Sequence, residues 1–254
     1  MITAERSLPN KIMLPIFWQH QKAYFFCLEY VAGKSVLELG SGSGFGSRLL
    51  AAKAKAVLAV DSDCRALTQA QKKFHHPNLS FVCKDIMSFK SDSKFDVIIA
   101  LQTLEHLPDP SLFLKKANIL LEDRGVLIIS TPNTLNSSPY PNPYHLREYT
   151  PSELKDLISE SFPHFRLYGL HGDRSFRLYN KKRLRTASLL LRLDFLSLRR
   201  LLPRRLLQIA FDFLTLVNRT LVSLFTKPYL FSLDNFTINR RTKDAIDLIV
   251  VARK

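Results

Sequence analysis

The chain has 254 residues, of which 46% are apolar and 23% are charged. This length and composition predict one globular α/β domain with room for an inserted lobe, and they exclude a wholly disordered or collagen-like chain. Lysine and arginine number 37 against 22 acidic residues, a net charge of +15 that favours contact with nucleic acid, phosphorylated molecules or acidic lipid headgroups.

Three features of the sequence carry expectations about the cellular compartment. The N-terminal region lacks the continuous apolar run of a secretory signal peptide. The most apolar stretch, 206–225, is interrupted by polar residues, which predicts that it does not span a membrane. Cys27, Cys64 and Cys83 lack the spacing of a zinc site or a small disulfide framework and are predicted to be reduced, buried thiols. These features together predict a cytoplasmic protein, and no residue is assigned as a metal ligand.

Apolar, β-branched segments alternate with helical patterns along most of the chain, which predicts parallel strands joined by crossover helices. We expect seven strands, at residues 35–39, 56–60, 79–83, 95–100, 125–130, 165–168 and 245–252. Amphipathic helices are predicted at residues 47–54, 64–74 and 111–121. A loop rich in proline and asparagine ends at Thr150, where a capping box with Glu153 predicts a helix start. The pattern indicates an α/β fold with a doubly wound, mostly parallel sheet.

Residues 173–243 do not fit the alternation and are predicted to form a helical lobe inserted before the last strand. The remaining residues, 1–172 and 244–254, are assigned to the main domain, in which 1–33 form N-terminal cap helices.

The predicted lobe is amphipathic and strongly basic. Leucines fall on one helical face, while Arg185, Arg192 and Arg199 repeat every seven residues on another. Between residues 181 and 227, eleven basic residues stand against two acidic ones. We expect a lid over the acceptor site whose basic face rests on an anionic membrane. A helical hairpin with solvated arginines and an RNA-binding patch are the alternatives.

Four of the eight glycines directly follow the first predicted strand and precede a helical pattern; they are Gly40, Gly42, Gly44 and Gly46. Without Cβ atoms, backbone amides can turn tightly and touch a ligand at the N-terminus of the following helix. The dinucleotide fingerprint fails, because its last position falls on Phe45 or Ser47. The phosphate-binding P-loop fails as well, because no Gly-Lys-Ser/Thr ending is present.

Residues 36–44, Val-Leu-Glu-Leu-Gly-Ser-Gly-Ser-Gly, resemble motif I of class I S-adenosylmethionine-dependent methyltransferases. The resemblance implies a Rossmann-like fold with S-adenosylmethionine as cofactor, and an acidic residue that organises the site around the methionine moiety. Asp61 ends the second strand, where a carboxylate can accept both ribose hydroxyls. Asp85 ends the third strand, where the family recognises adenine beside an apolar neighbour. The implied cofactor-binding residues are Glu38, Gly40, Ser41, Gly42, Gly44, Asp61, Asp85, Ile86 and Leu101.

A second resemblance follows the fourth strand. Residues 105–110, Glu-His-Leu-Pro-Asp-Pro, resemble a segment common among small-molecule and ubiquinone-type methyltransferases. His106 then lies near the carboxyl ends of the strands, where open α/β sheets bind ligands, and is a candidate base for an acceptor hydroxyl. The alternative is that Glu105 and His106 hydrogen-bond the loop and only shape the pocket.

A third resemblance lies in residues 142–150, which are similar to the loop after strand five in bacterial methyltransferases associated with sugar and cell-surface glycan biosynthesis. The opening residues 3–6, with His20 and Tyr24, resemble the same enzymes. His145 is therefore a second candidate base and Arg147 a candidate anion clamp. A solvated histidine, and an arginine paired with the neighbouring Glu148, are the alternatives.

The leading hypothesis is O-methylation of a sugar, glycan or lipid-linked small molecule. A nucleic-acid methyltransferase is less favoured, because no Asn/Asp-Pro-Pro-aromatic motif follows strand four and no Pro-Cys pair occurs. A non-catalytic, cofactor-binding accessory protein that docks on a membrane is the third reading. The sequence gives no prediction of oligomeric state.

Overall fold

Strands alternate with helices along the chain, as the apolar pattern predicts. The computed structural model describes residues 14–137, 142–192 and 203–254. The strands are β1 (Ser35–Leu39), β2 (Ala56–Asp61), β3 (Leu79–Cys83), β4 (Phe95–Leu101), β5 (Leu121–Pro132), β6 (His164–Gly172), β7 (Phe236–Asn239) and β8 (Asp247–Arg253). The α-helices are α1 (Leu14–Val31), α2 (Phe45–Ala51), α3 (Cys64–Lys73), α4 (Pro110–Leu120), α5 (Pro151–Ser159), α6 (Arg174–Arg192) and α7 (Arg204–Leu224). Short 3₁₀ helices lie at Leu104–His106, Pro228–Leu230 and Leu233–Asn235.

The sheet has the order β3-β2-β1-β4-β5-β8-β6-β7. Neighbouring strands from β3 to β5 are parallel, whereas β8 is antiparallel to both β5 and β6. The predicted α/β class is therefore confirmed. The predicted strand number is wrong, since the described residues contain eight strands rather than seven. The additional strand, β7, is only four residues long and pairs antiparallel with β6 at the edge of the sheet.

Alternate strand residues point to opposite sides of the sheet, and helices cover both faces. One core contains Leu37, Ile98 and Leu127, packed with side chains of α4 and α5. The other contains Val36 and Ile99, packed with side chains of α1 and α2. Because β1 to β5 are parallel, their carboxyl ends lie along one side of the sheet, and the loops to the covering helices emerge there. This side is called the ligand edge below.

The predicted lobe is helical in α6 and α7 but not throughout, because it also contributes β7. Phe176 of α6 and Val222 of α7 belong to the same core cluster as α1 and the sheet. The helices also bond to each other, since the Asn218 amide donates to the Arg183 carbonyl at 3.0 Å. Arg199 lies outside the described residues, so its predicted place on the basic face stays a prediction.

One helix among the described residues, Leu206–Leu224, is long and apolar enough by length and composition to cross a membrane, with 17% of it buried. The expectation that this stretch is too polar for such a helix is wrong on those two criteria. Two of its polar residues nevertheless turn inward: Asn218 and Arg219 are 5% and 6% exposed. The helix therefore has one face on the protein and the other exposed.

The cysteines depart from their prediction. Only Cys27 is a free, buried thiol, whereas Cys64 and Cys83 are exposed and joined in a disulfide. Their separation of 19 residues concealed the contact, which arises because β2 and β3 are neighbours and Asp61 is paired with Cys83 in the sheet. The bond links the start of α3 to the end of β3.

Candidate active site

The glycine-rich turn between β1 and α2 has a backbone that other residues adopt only with strain. Gly40, Gly42 and Gly44 have φ angles of 85°, 53° and 75°, all in the left-handed region. A Cβ atom at Gly40 would lie 2.4 Å from the Thr103 hydroxyl oxygen, whereas one at Gly42 would have no atom within 4 Å. The turn is therefore closed at Gly40 by Thr103, in the segment after β4, and open to a ligand at Gly42.

Glu38 lies beneath this turn, on the face of the sheet that α1 covers. Its side chain is 1% exposed, and the Tyr24 hydroxyl donates to Oε1 at 2.7 Å. Burial raises the pKa of Glu38 to about 6, against the opposing effect of the nearby hydroxyls of Ser47 and Tyr24. Glu38 Oε2 and Ser41 Oγ are buried without a hydrogen-bond partner of good geometry among the described residues. These two atoms fit the ammonium and carboxylate groups of a methionine moiety.

Asp61, at the end of β2, bridges the glycine turn and the start of α3. Its Oδ2 accepts the Gly42 amide at 2.8 Å, and its Oδ1 accepts the Asp63 amide at 2.8 Å. Each carboxylate oxygen keeps a second acceptor position. Asp61 is thus oriented before any ligand arrives, with acceptors available for the two ribose hydroxyls.

The other predicted cofactor residues lie on neighbouring strand ends. Asp85 is exposed, and its Oδ1 accepts the Ser88 amide at 3.0 Å, so one oxygen caps a turn. Ile86 packs partly buried against the core. Leu101 ends β4 and lies beside the glycine turn, because Glu38 pairs with Ile99 two residues earlier.

The two candidate bases lie in different loops that the structure brings together. Leu146 donates its amide to the Glu105 carbonyl at 2.8 Å, which fixes the 142–149 loop on the short helix after β4. The ring centroids of His106 and His145 are 5.0 Å apart. His106 Nδ1 lies 3.0 Å from the Tyr144 carbonyl, which can only accept, so Nδ1 donates.

Neither alternative for the 142–149 loop residues is correct. His145 is half-buried rather than solvated, and its Nδ1 lies 2.7 Å from Glu148 Oε1. Arg147 does not pair with Glu148; its guanidinium lies 3.4 Å from Glu153 Oε1 and over the Tyr149 ring. The Arg147 guanidinium therefore contacts Glu153 and Tyr149. Of the N-terminal residues that share the resemblance, Tyr24 binds Glu38, and residues 3–6 lie outside the described residues.

Sequence reasoning missed Asp247, which lies at the same edge of the sheet. It begins β8, is 3% exposed, and accepts the Gln19 amide at 2.7 Å. Burial raises its pKa to about 6, opposed by hydrogen bonds from Gln19 and Gln102. An isolated acid opening an apolar strand was the available signal, but its position required knowing that β8 runs antiparallel.

Comparison with known proteins decides the family. A family model described as a methyltransferase domain matches residues 31–167, more than half of the chain. The chain belongs to this methyltransferase family. The match includes the glycine turn, Asp61, Asp85 and the Glu105–His106 segment, although it ends before the lobe.

The methyltransferase has relatives of the same cofactor class. It is 31% identical over 182 residues to a probable S-adenosylmethionine-dependent methyltransferase from Mycobacterium tuberculosis, covering 68% of this chain and 65% of that protein. It is 34% identical over 104 residues to a ubiquinone biosynthesis O-methyltransferase from Coxiella burnetii, covering 40% and 44%. The chain therefore spans slightly less than two thirds of the length of the mycobacterial relative.

Solved structures share the fold. An S-adenosylmethionine-dependent methyltransferase from Thermotoga maritima aligns with a TM-score of 0.57 at 16% identity, covering 94% of this chain and 92% of that one. An N-methyltransferase from Bradyrhizobium japonicum in complex with S-adenosylhomocysteine aligns with a TM-score of 0.55 at 18% identity, covering 68% and 90%. The methyltransferase uses S-adenosylmethionine, and the side-chain oxygens of Glu38 and Ser41 that are buried beneath its glycine turn suit that cofactor.

Proposed function

We propose that the enzyme methylates a hydroxyl oxygen of a sugar, glycan or lipid-linked small molecule. The observation that carries the proposal is the contact between His106 and His145 beside the cofactor edge of the sheet. S-adenosylmethionine is already activated as a sulfonium, so the protein mainly aligns donor and acceptor and assists loss of the hydroxyl proton. The relative named as an O-methyltransferase supports oxygen as the nucleophile.

Different residues are proposed to hold different parts of the cofactor. Glu38 and Ser41 would hold the methionine end, Asp61 the ribose, and Asp85 with Ile86 the adenine. The bound cofactor supplies the electrophilic methyl group. With the cofactor anchored on this side, the histidine pair on the following loops is proposed to activate the acceptor.

A transfer assay with radiolabelled S-adenosylmethionine tests this function. We expect label to enter an acceptor in a bacterial lipid or glycan extract as a methyl ether, which resists alkaline hydrolysis that releases methyl esters. Total RNA serves as the comparison substrate. Label that appears in RNA, or as N-methyl product, would contradict the proposal.

The lobe supports an acceptor at a membrane. Five large side chains of α7 at helical spacing are between 50% and 71% exposed: Leu206, Ile209, Phe213, Leu216 and Leu224. Exposed basic residues lie on α6 and just beyond α7: Lys181, Lys182, Arg185 and Lys227. An apolar face flanked by cations is suited to an anionic bilayer surface. Nucleic-acid interfaces are instead mainly polar, so this face favours lipid over RNA.

Helix α7 also contacts the 142–149 loop, called the acceptor loop below because it carries His145. The Tyr144 hydroxyl donates to Asp212 of α7 at 2.6 Å, and the Tyr144 and Phe211 rings lie 6.2 Å apart. His106 bonds to the Tyr144 carbonyl, so the histidine pair is two contacts away from α7. We propose that α7 lies on the cytoplasmic face of the membrane and holds the acceptor loop near lipid-linked substrates.

Liposome flotation tests the membrane contact. We expect binding to vesicles with anionic lipid, loss in 0.5 M salt, and no binding to neutral vesicles, because each basic residue near the surface contributes about 1 kcal/mol. Changing Lys181, Lys182, Arg185 and Lys227 to Gln should reduce the bound fraction strongly. The matched control changes Lys53, Lys55, Lys90 and Lys94 to Gln and should bind normally. A folded wild type that does not float on anionic vesicles would disprove this contact.

A further inference from the structure

Glu105, His106 and His145 form a compact cluster of potential metal ligands. Each residue offers one ligand atom, and these atoms all lie within 4.8 Å of one another. The cluster includes a buried carboxylate and two half-buried imidazoles. Two of the residues follow β4 and the third comes from the loop fixed on the Glu105 carbonyl, so two joined segments hold all three side chains.

A hydrogen bond to a neighbouring residue orients each of these three side chains. The Tyr144 carbonyl lies 3.0 Å from His106 Nδ1, and the Glu148 carboxylate lies 2.7 Å from His145 Nδ1. The Thr131 hydroxyl donates to Glu105 Oε2 at 3.0 Å. Metal-binding histidines typically bond one ring nitrogen to a carbonyl or carboxylate and present the other to the ion. Both histidines here follow that arrangement, which leaves Nε2 of each directed away from its supporting group.

We propose that Glu105, His106 and His145 bind a divalent cation of the Mn²⁺ to Zn²⁺ series through two Nε2 atoms and one carboxylate oxygen. Two imidazoles and a carboxylate suit these ions better than Mg²⁺ or Ca²⁺, which prefer oxygen ligands. Ligand atoms about 2.1 Å from an ion lie about 3.4 Å apart in a tetrahedral site, so a side-chain adjustment of about 1 Å closes the cluster. The Asn142 amide, now 2.9 Å from His145 Nε2, would give way to the ion.

The inferred cation site rests on the proposed function. The ion would explain how the histidine pair activates the acceptor hydroxyl. Three protein ligands leave a position for substrate oxygen, and a cation lowers the pKa of a hydroxyl placed against it. The hydroxyl proton passes to water, and an oxygen electron pair forms the new bond to the methyl carbon. The carbon–sulfur bond breaks with its electron pair on sulfur, leaving S-adenosylhomocysteine. In a tetrahedral site three protein ligands leave one open position, which suits a single hydroxyl oxygen of a sugar.

Calorimetric titration of the metal-free full chain with Mn²⁺ and Zn²⁺ tests the site without an acceptor. We expect one equivalent to bind at micromolar concentration, and Mg²⁺ or Ca²⁺ to bind at least 10-fold more weakly. His106→Ala, His145→Ala and the isosteric Glu105→Gln should each weaken Mn²⁺ binding at least 10-fold. His164→Ala is the matched control, because His164 is exposed at the opposite end of the sheet. Loss of the electron paramagnetic resonance signal of free Mn²⁺ gives an independent measure.

Binding of S-adenosylhomocysteine, measured on the same samples, separates this inference from the proposed function. Retained cofactor affinity with lost Mn²⁺ affinity in the three variants supports the site. Wild-type protein that binds neither ion below 100 µM, or variants that bind as wild type does, would overturn the cation site. If turnover still fell in His106→Ala under that outcome, the proposed methyl transfer would stand without a metal.

Discussion

Replacing His106 by alanine is expected to lower the turnover number by roughly 100-fold or more, while the dissociation constant for S-adenosylmethionine stays within about twofold. The reason is position: His106 lies against His145 on the acceptor side, and none of the hydrogen bonds described at the glycine turn or Asp61 involves it. The same result is expected for His145→Ala. Steady-state rates with an identified acceptor, together with calorimetric titration of the cofactor, measure the two quantities separately.

The control for this prediction is His164→Ala, in which an exposed histidine is removed far from the site. It should retain wild-type turnover. Full activity in both His106→Ala and His145→Ala would mean that alignment alone suffices and that neither histidine activates the acceptor. A parallel loss of cofactor affinity would instead indicate that the histidines support the fold of the cofactor pocket.

The strands and the glycine turn were predictable because their signals are local. The predicted limits of β1 and β3 match the structure, and the Thr150 capping box with Glu153 is present in full. Alternating apolar runs, glycines and capping residues each act within a few positions of the chain. The two loops that carry His106 and His145 were recognised only by their resemblance to other methyltransferases. The contact between the two histidines is visible only in the structure.

The features that sequence missed depend on contacts between distant segments. The four residues of β7 carry too short a pattern to be recognised before β6 is known to offer them an edge. The disulfide between Cys64 and Cys83 needs the pairing of β2 with β3. Asp247 reaches the ligand edge because β8 reverses direction, which periodicity cannot predict.

Replacing Asp61 by alanine or asparagine is expected to weaken binding of S-adenosylmethionine and S-adenosylhomocysteine by about 10- to 150-fold. This range corresponds to a loss of about 1.5 to 3 kcal/mol, the usual contribution of hydrogen bonds to a charged acceptor. The wild type should not bind NAD, since its glycine spacing departs from the dinucleotide fingerprint. Calorimetry of both variants measures the effect, and Asp156→Asn, an exposed acid on α5, is the matched control.

The two Asp61 substitutions separate recognition from support of the pocket. The Asp61→Asn variant keeps one oxygen that can accept a backbone amide, whereas Asp61→Ala releases both the Gly42 and the Asp63 amides. If the carboxylate acts mainly on the ribose, both variants should lose similar affinity, and the melting temperature of ligand-free Asp61→Asn should lie between those of the wild type and Asp61→Ala, because one backbone amide loses its acceptor. If it acts mainly by bracing the glycine turn, Asp61→Asn, which keeps an acceptor for one of the two backbone amides, should lose clearly less affinity than Asp61→Ala. Unchanged affinity in Asp61→Ala would remove Asp61 from the cofactor site, because neither a ribose contact nor a braced turn could then depend on it.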